Sequence, residues 1–155
     1  MTKIIVAFAG TGKTTATTSG RWNVLDSDSD KFQWIGHRDN GIKNPSWPLN
    51  FINHPVEECT ADTYDAVLMS AYIEFLPQIV DRVQAPITFV YPSLDMKSEF
   101  EARYRGRENP DWLVNLLVDN FDEWITALAD MKGEHVVLEP DQYLSDVLLE
   151  ILAKT

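Results

Sequence analysis

The ten residues Val6-Ala7-Phe8-Ala9-Gly10-Thr11-Gly12-Lys13-Thr14-Thr15 restrict the fold more than any other stretch of the chain. Up to Ala9, the run from Lys3 is apolar and rich in β-branched residues without alternation. That is the pattern of a strand buried on both faces, as in a parallel sheet. After it come closely spaced glycines, then Lys13 to Ser19, which reads as a helix with Gly20 as its stop. A buried strand, a glycine turn and a helix in immediate succession call for an α/β fold.

The remaining chain continues the alternation. Trp22–Ser29, Tyr64–Tyr72, Ala85–Ser93 and His135–Pro140 are further apolar runs of strand length. Helices are expected over Ile73–Val83, from Leu94 to Gly106 with Ser93 as N-cap, after Pro110, and from Gln142 to the C-terminal end. In the helix after Pro110, Leu113, Leu116, Leu117, Phe121, Trp124, Ile125 and Leu128 share one face. The expectation is a three-layer sandwich around a five-stranded parallel sheet. With no repeat, low-complexity stretch or linker, residues 1–155 read as a single domain. Lys31–Pro55 stands apart. It is rich in proline and asparagine, has little periodicity, and reads as an irregular excursion with short helical pieces. "VEECTADT" reads as a helix end after it.

The turn itself carries chemistry. It follows the pattern G-x-x-x-x-G-K-[ST] of a phosphate-binding P-loop, except that Ala7 occupies the first glycine position. Glycines let successive backbone N–H groups converge on phosphate oxygens, and a helix N-terminus adds partial positive charge. Ala9, Gly10, Thr11, Gly12, Lys13, Thr14 and Thr15 are therefore the expected nucleotide-binding residues. Lys13 is expected on the β- and γ-phosphates of ATP, and the Thr14 hydroxyl on Mg²⁺. The alanine is tolerable if the strand ends there with negative φ.

Charge limits the partners. The net charge is −11, with only 13 Lys and Arg residues, which argues against a long nucleic acid as substrate and leaves room only for a local basic groove, as a polynucleotide kinase would need. Three of the basic residues crowd into "RYRGR", at Arg103, Arg105 and Arg107. No apolar run approaches the ~20 residues of a membrane helix. The single cysteine, Cys59, has no partner for an internal disulfide, which fits a cytoplasmic protein.

Absences narrow the class. There is no N-K-x-D motif, and the one D-x-x-G, Asp130 to Gly133, lies just before the last strand, so a GTPase switch is not indicated. "DAVLMS" ends in Ser70 where a motor-type ATPase would place an acid. The acids stand instead after the second strand, at Asp26 and Asp28. Alternate strand residues share a face, so both carboxylates can meet one pocket at the carboxyl end of the sheet. Asp26 is the expected second Mg²⁺ ligand and catalytic acid residue, and Asp28 the expected acceptor contact. The alternative is a solvated acidic turn.

A P-loop at the N-terminus, D-x-D after the second strand, an irregular region and an arginine-rich segment together resemble the nucleoside monophosphate kinase and shikimate kinase fold. More narrowly, "NPSWPLNFINH", "DAVLMSAY" and "YPSLDMKSEFEARYRGREN" resemble small kinase-like proteins of Gram-positive bacteria and their phages. The resemblance implies an arginine-bearing lid, here about 97–112, with Arg103 and Arg107 catalytic and Arg105 on the nucleotide. The competing assignment is i,i+4 pairing of Glu99 with Arg103 and Glu101 with Arg105. Lys97 is a weaker candidate. The acceptor site is expected in the excursion, about 31–60. Arg38 would meet an acceptor phosphate and Phe32 or Trp34 would stack on a base, with Trp47 and Phe51 as alternatives. Each aromatic also has packing as a competing role. His37, His54 and Cys59 lack metal-ligand spacing. The chain departs from nucleoside monophosphate kinases at Ser70-Ala71-Tyr72, where a glycine-arginine element would grip the acceptor phosphate. The expected activity is Mg-ATP-dependent phosphoryl transfer to a nucleoside monophosphate. The alternatives are a nucleoside or other small hydroxyl compound as acceptor, or an ATP-binding regulatory module.

Overall fold

The computed structural model describes residues 1–154. Its five strands are β1 (Lys3–Ala7), β2 (Val24–Ser27), β3 (Ala66–Ser70), β4 (Ile87–Pro92) and β5 (Glu134–Leu138), all parallel, in the order β2-β3-β1-β4-β5. The central strand β1 is buried from Ile4 to Ala7, and β3 from Ala66 to Met69, as their unbroken apolar runs require. Ala7 lies level with Ser70 on one side and Val90 on the other, so β1 and β3 end together while β4 runs two residues further. The strand order reverses at β1, and open parallel sheets bind ligands outside the strand ends at such a reversal.

The helices are α1 (Lys13–Thr18), α2 (Asp30–Gln33), α3 (Leu49–Ala61), α4 (Leu76–Arg82), α5 (Lys97–Gly106), α6 (Asp111–Asp119), α7 (Phe121–Ala129) and α8 (Leu144–Ala153). Right-handed crossovers send the β1-to-β2 connection to one face and the later rightward connections to the other. In keeping with this, α1 packs on α8 and α3 packs on α4. Among the described residues no helix is long and apolar enough to cross a membrane.

Four details differ from the sequence expectation. First, residues 49–61 form a 13-residue helix despite Pro55. The proline costs one helical hydrogen bond and some distortion. Its ring is buried with Phe51 and Ile52 along one helix face, and that apolar burial offsets the loss. Second, the helix after Pro110 breaks at Asn120, whose side-chain amide donates to the Leu116 carbonyl at 2.8 Å. The break leaves Phe121, Ile125 and Leu128 in the core and turns Leu113, Leu116 and Leu117 elsewhere. Third, β2 ends at Ser27, so Asp28 lies just beyond the strand. Fourth, Ser93 bonds the Asp95 carboxylate instead of capping a helix, and a short 3-10 turn at Leu94–Met96 precedes α5.

His54 ties α3 to the sheet. Its Nδ1 lies 2.8 Å from the buried Ser27 hydroxyl, its Nε2 3.7 Å from Glu58, and its ring 4.8 Å from that of Phe32. Burial pushes the imidazole below its ordinary value; Lys31 lowers it further, against the raising effect of Glu58 and Glu57. The fold therefore favours the neutral ring. That contribution is complete above the unfolded value of 6.5 and is lost as pH falls through the lower folded one. The melting temperature should drop between pH 7.5 and 5.5, and His54→Gln should flatten that drop. An unchanged slope in thermal melts would contradict the assignment.

Candidate active site

The loop between β1 and α1 is held from behind. Ala7 closes β1 as a buried strand residue, and the non-glycine residues with positive φ are Asp62, Glu108 and Asp141. The alanine in the first glycine position is therefore unstrained. Gly10 and Gly12 adopt φ of +88° and +92°, where a side chain is disfavoured. A Cβ on Gly10 would also lie 2.8 Å from the Tyr104 ring. The loop carbonyls are taken: Tyr104 Oη donates to Ala9 at 2.8 Å, Arg103 to Gly10 at 3.0 Å, and the Leu144 N–H to Thr11 at 2.7 Å. Among the described residues no hydrogen bond occupies the N–H groups of Gly12, Lys13, Thr14 or Thr15. Carbonyls tied back and consecutive N–H groups left free make the backbone nest that binds anions.

Lys13 brings both acids of the D-x-D pair to this loop. Its Nζ lies 2.7 Å from Asp26 and 3.1 Å from Asp28, and it is 11% exposed. Asp26 also meets Lys31 at 3.2 Å. Asp28 accepts from the Asp30 N–H at 3.1 Å and from the Ser70 hydroxyl at 3.4 Å. Burial raises the Asp28 carboxyl, but the Lys13 ammonium and these hydrogen bonds outweigh it, and the group stays below its ordinary value. The Thr14 hydroxyl is exposed and has no partner among the described residues.

Two cavities adjoin the loop. The larger, about 590 Å³, is lined by the loop, Asp28–Asp30, Ser70–Glu74, Tyr104, Arg107, Asn109 and apolar residues of α6 and α7. The smaller, about 390 Å³, shares Gly10, Gly12 and Arg107 and adds Thr15, Arg103, Gly106 and Tyr143.

The arginine cluster divides into three different environments. Arg107, at the end of α5, lines both cavities and makes no ion pair among the described residues. Arg105 does not line either cavity. It is exposed and pairs with Glu101 at 3.2 Å and Asp111 at 3.6 Å. Arg103 is 7% exposed and bonds Glu99 at 2.7 Å, the Gln142 carbonyl at 2.8 Å and Gly10. Its guanidinium lies between the rings of Phe100 and Tyr143, at 4.3 and 3.9 Å. With three donors bonded to Gly10, Glu99 and Gln142, Arg103 braces the loop at the edge of the smaller cavity. Arg103→Ala should cost about 3 kcal/mol of stability, because it leaves Glu99 unpaired beside a loosened loop. Denaturant titration reads this directly; a loss under about 0.5 kcal/mol would be too small for a brace. Lys97 pairs with Asp122 at 3.6 Å.

The excursion residues expected at an acceptor do not line the cavity. Phe32 packs between Phe51 and His54, and Trp34 lies under the Lys43 ammonium at 5.4 Å. Arg38 sits 3.6 Å from Asp30. Trp47 stacks on Phe51 at 5.5 Å and meets Tyr72 and Phe75 edge-on. Packing claims Phe32, Trp47 and Phe51, and of the expected acceptor residues Asp28 alone lines the cavity. Sequence reasoning misses Ser70 through Glu74 as a wall, although it marks Ser70-Ala71-Tyr72 as a departure. It also assigns Leu113, Leu116, Leu117 and Trp124 to helix packing, because periodicity identifies an apolar face without saying what the face meets.

No family model matches the chain, and no curated protein matches it in sequence. Its fold does match solved structures. A gluconokinase from Sinorhizobium meliloti aligns over 98% of this chain and 89% of its own, with TM-score 0.55 and 18% identity. Shikimate kinase from Aquifex aeolicus aligns over 97% of this chain and 96% of its own, with TM-score 0.51 and 13% identity. At such identities the likeness defines the fold, that of the P-loop kinases.

Proposed function

We propose that this chain is a small-molecule kinase that moves the γ-phosphoryl group of ATP, with Mg²⁺, to a hydroxyl of a small acceptor. The observation that carries this reading is Lys13 held between Asp26 and Asp28 beside a nest of free N–H groups, in a cavity that Arg107 also lines. A passive ATP binder needs neither the paired acids nor the free arginine. The fold shared with gluconokinase and shikimate kinase supports the same class. The narrower kinship with kinase-like proteins of Gram-positive bacteria and phages, and a cytoplasmic setting, belong to this proposal.

Each residue has a role set by its place. The free N–H groups from Gly12 to Thr15 hold the β- and γ-phosphates, and Lys13 leaves its carboxylates to join them. The unpartnered Thr14 hydroxyl and the Asp26 carboxylate fit Mg²⁺, an oxygen-seeking cation that would neutralise phosphate charge there. Asp28 faces the cavity and accepts a hydrogen bond from the acceptor hydroxyl. Arg107 stabilises charge on the moving group, and the open space around Gly106 lets the segment after it, to residue 112, close over the phosphates while α5 stays packed on the loop. The smaller cavity, with Tyr143, takes the donor base.

ADP release from Mg-ATP, run against nucleoside monophosphates, nucleosides and shikimate-like alcohols, tests the reading. Stimulation by one class is expected. ATP binding with no stimulation by any of them would favour the regulatory module.

A further inference from the structure

Resting on the kinase reading, the lining of the larger cavity bears on its acceptor. We infer that the acceptor is an uncharged alcohol with an apolar or aromatic body, carrying no phosphate or carboxylate of its own. The nucleoside monophosphate expectation gives way to this class.

Charge is the first argument. Three carboxylates line the cavity, Asp28, Asp30 and Glu74, against two cations, Lys13 and Arg107. Lys13 already serves Asp26 and Asp28, and the donor phosphates claim it. Once it turns to them, Asp28 keeps only its hydrogen bonds from the Asp30 N–H and the Ser70 hydroxyl and no longer faces a cation. Arg107 also borders the smaller cavity beside Gly10 and Gly12, next to the same phosphates. Arg38, the cation expected at an acceptor phosphate, is outside the lining and 3.6 Å from Asp30. Among the lining residues no cation is left for a second anion, and an anion without one meets like charge in a partly dry site.

Shape is the second argument. Leu113, Leu116, Leu117 and Trp124 line the same cavity. Leu116 is 45% exposed, apolar surface that an occupant would cover. Leu117 and Trp124 also pack on the core, so this wall is held in place. Such a wall gains from an apolar body and gives nothing to a phosphate. In the reaction, the acceptor oxygen forms a bond to the γ-phosphorus while the bond from that phosphorus to the ADP oxygen breaks. The hydroxyl proton passes to Asp28 and then to water.

The test uses matched pairs on the full chain with Mg²⁺: thymidine and its 5′-monophosphate, methyl shikimate and shikimate, 2-naphthylmethanol and 2-naphthoate. Affinity is read by calorimetry with a non-hydrolysable ATP analogue, and turnover by ADP release with ATP. The uncharged member should bind about tenfold tighter or more. Leu117→Asn should weaken 2-naphthylmethanol, and Glu74→Gln should narrow the gap to 2-naphthoate. Equal or tighter binding of the anions, no binding by any alcohol, or indifference to Leu117→Asn would overturn the inference. Discrimination in binding without ADP release would keep this class and remove the kinase reading. ADP release driven best by the anions would do the reverse.

Discussion

Lys13→Ala should lower kcat/KM for phosphoryl transfer by about a thousandfold or more while leaving the chain folded. The size follows from what Lys13 touches. It is the one cation held inside the D-x-D pair, 2.7 Å from Asp26 and 3.1 Å from Asp28. Without it, the γ-phosphoryl group loses a direct positive contact and instead faces both carboxylates. The fold should survive because Asp26 keeps Lys31 and Asp28 keeps the Asp30 N–H and the Ser70 hydroxyl. The Asp28 carboxyl should titrate higher in this variant, since Lys13 is the main influence lowering it. Near-native melting with turnover within tenfold of the parent would show that this lysine does not act on the donor.

Arg107→Ala should reduce kcat by about a hundredfold or more and weaken ATP binding much less. Arg107 lines both cavities and has no carboxylate partner among the described residues, so its charge is free for the group in transit. Arg105→Ala is the control two residues away, within about twofold of the parent, because its guanidinium pairs with Glu101 and Asp111. Single-turnover rates and ATP affinities for the two variants separate the effects. An unaltered kcat in Arg107→Ala, or equal losses in both, would remove the lid arginine from the mechanism.

The parts of this protein set by neighbouring residues are legible in its sequence. The strand Lys3–Ala7, the glycine turn and the lysine form one short segment, so their geometry follows from local chemistry. The same holds for the order of strands and helices. The pairing of Asp26 and Asp28 with Lys13 is partly legible, since alternate positions share a face even though the strand stops at Ser27. What depends on distant contacts is not. Helix propensity and Pro55 argue against a helix at 49–61, and the buried face of Phe51 and Ile52 overrides them. The three arginines look alike in "RYRGR", yet Phe100, Tyr143 and Gln142 capture only Arg103. Leu113, Leu116 and Leu117, just before the break at Asn120, line the cavity, and no periodicity reveals that.

The most direct measurement follows the label from [γ-³²P]ATP, with Mg²⁺ and a stimulating alcohol, in the parent and in Lys13→Ala. The label should appear in the acceptor with the parent and be absent with the variant. Label found only in inorganic phosphate, at a rate indifferent to acceptor, or equal transfer by both proteins, would contradict phosphoryl transfer at this site.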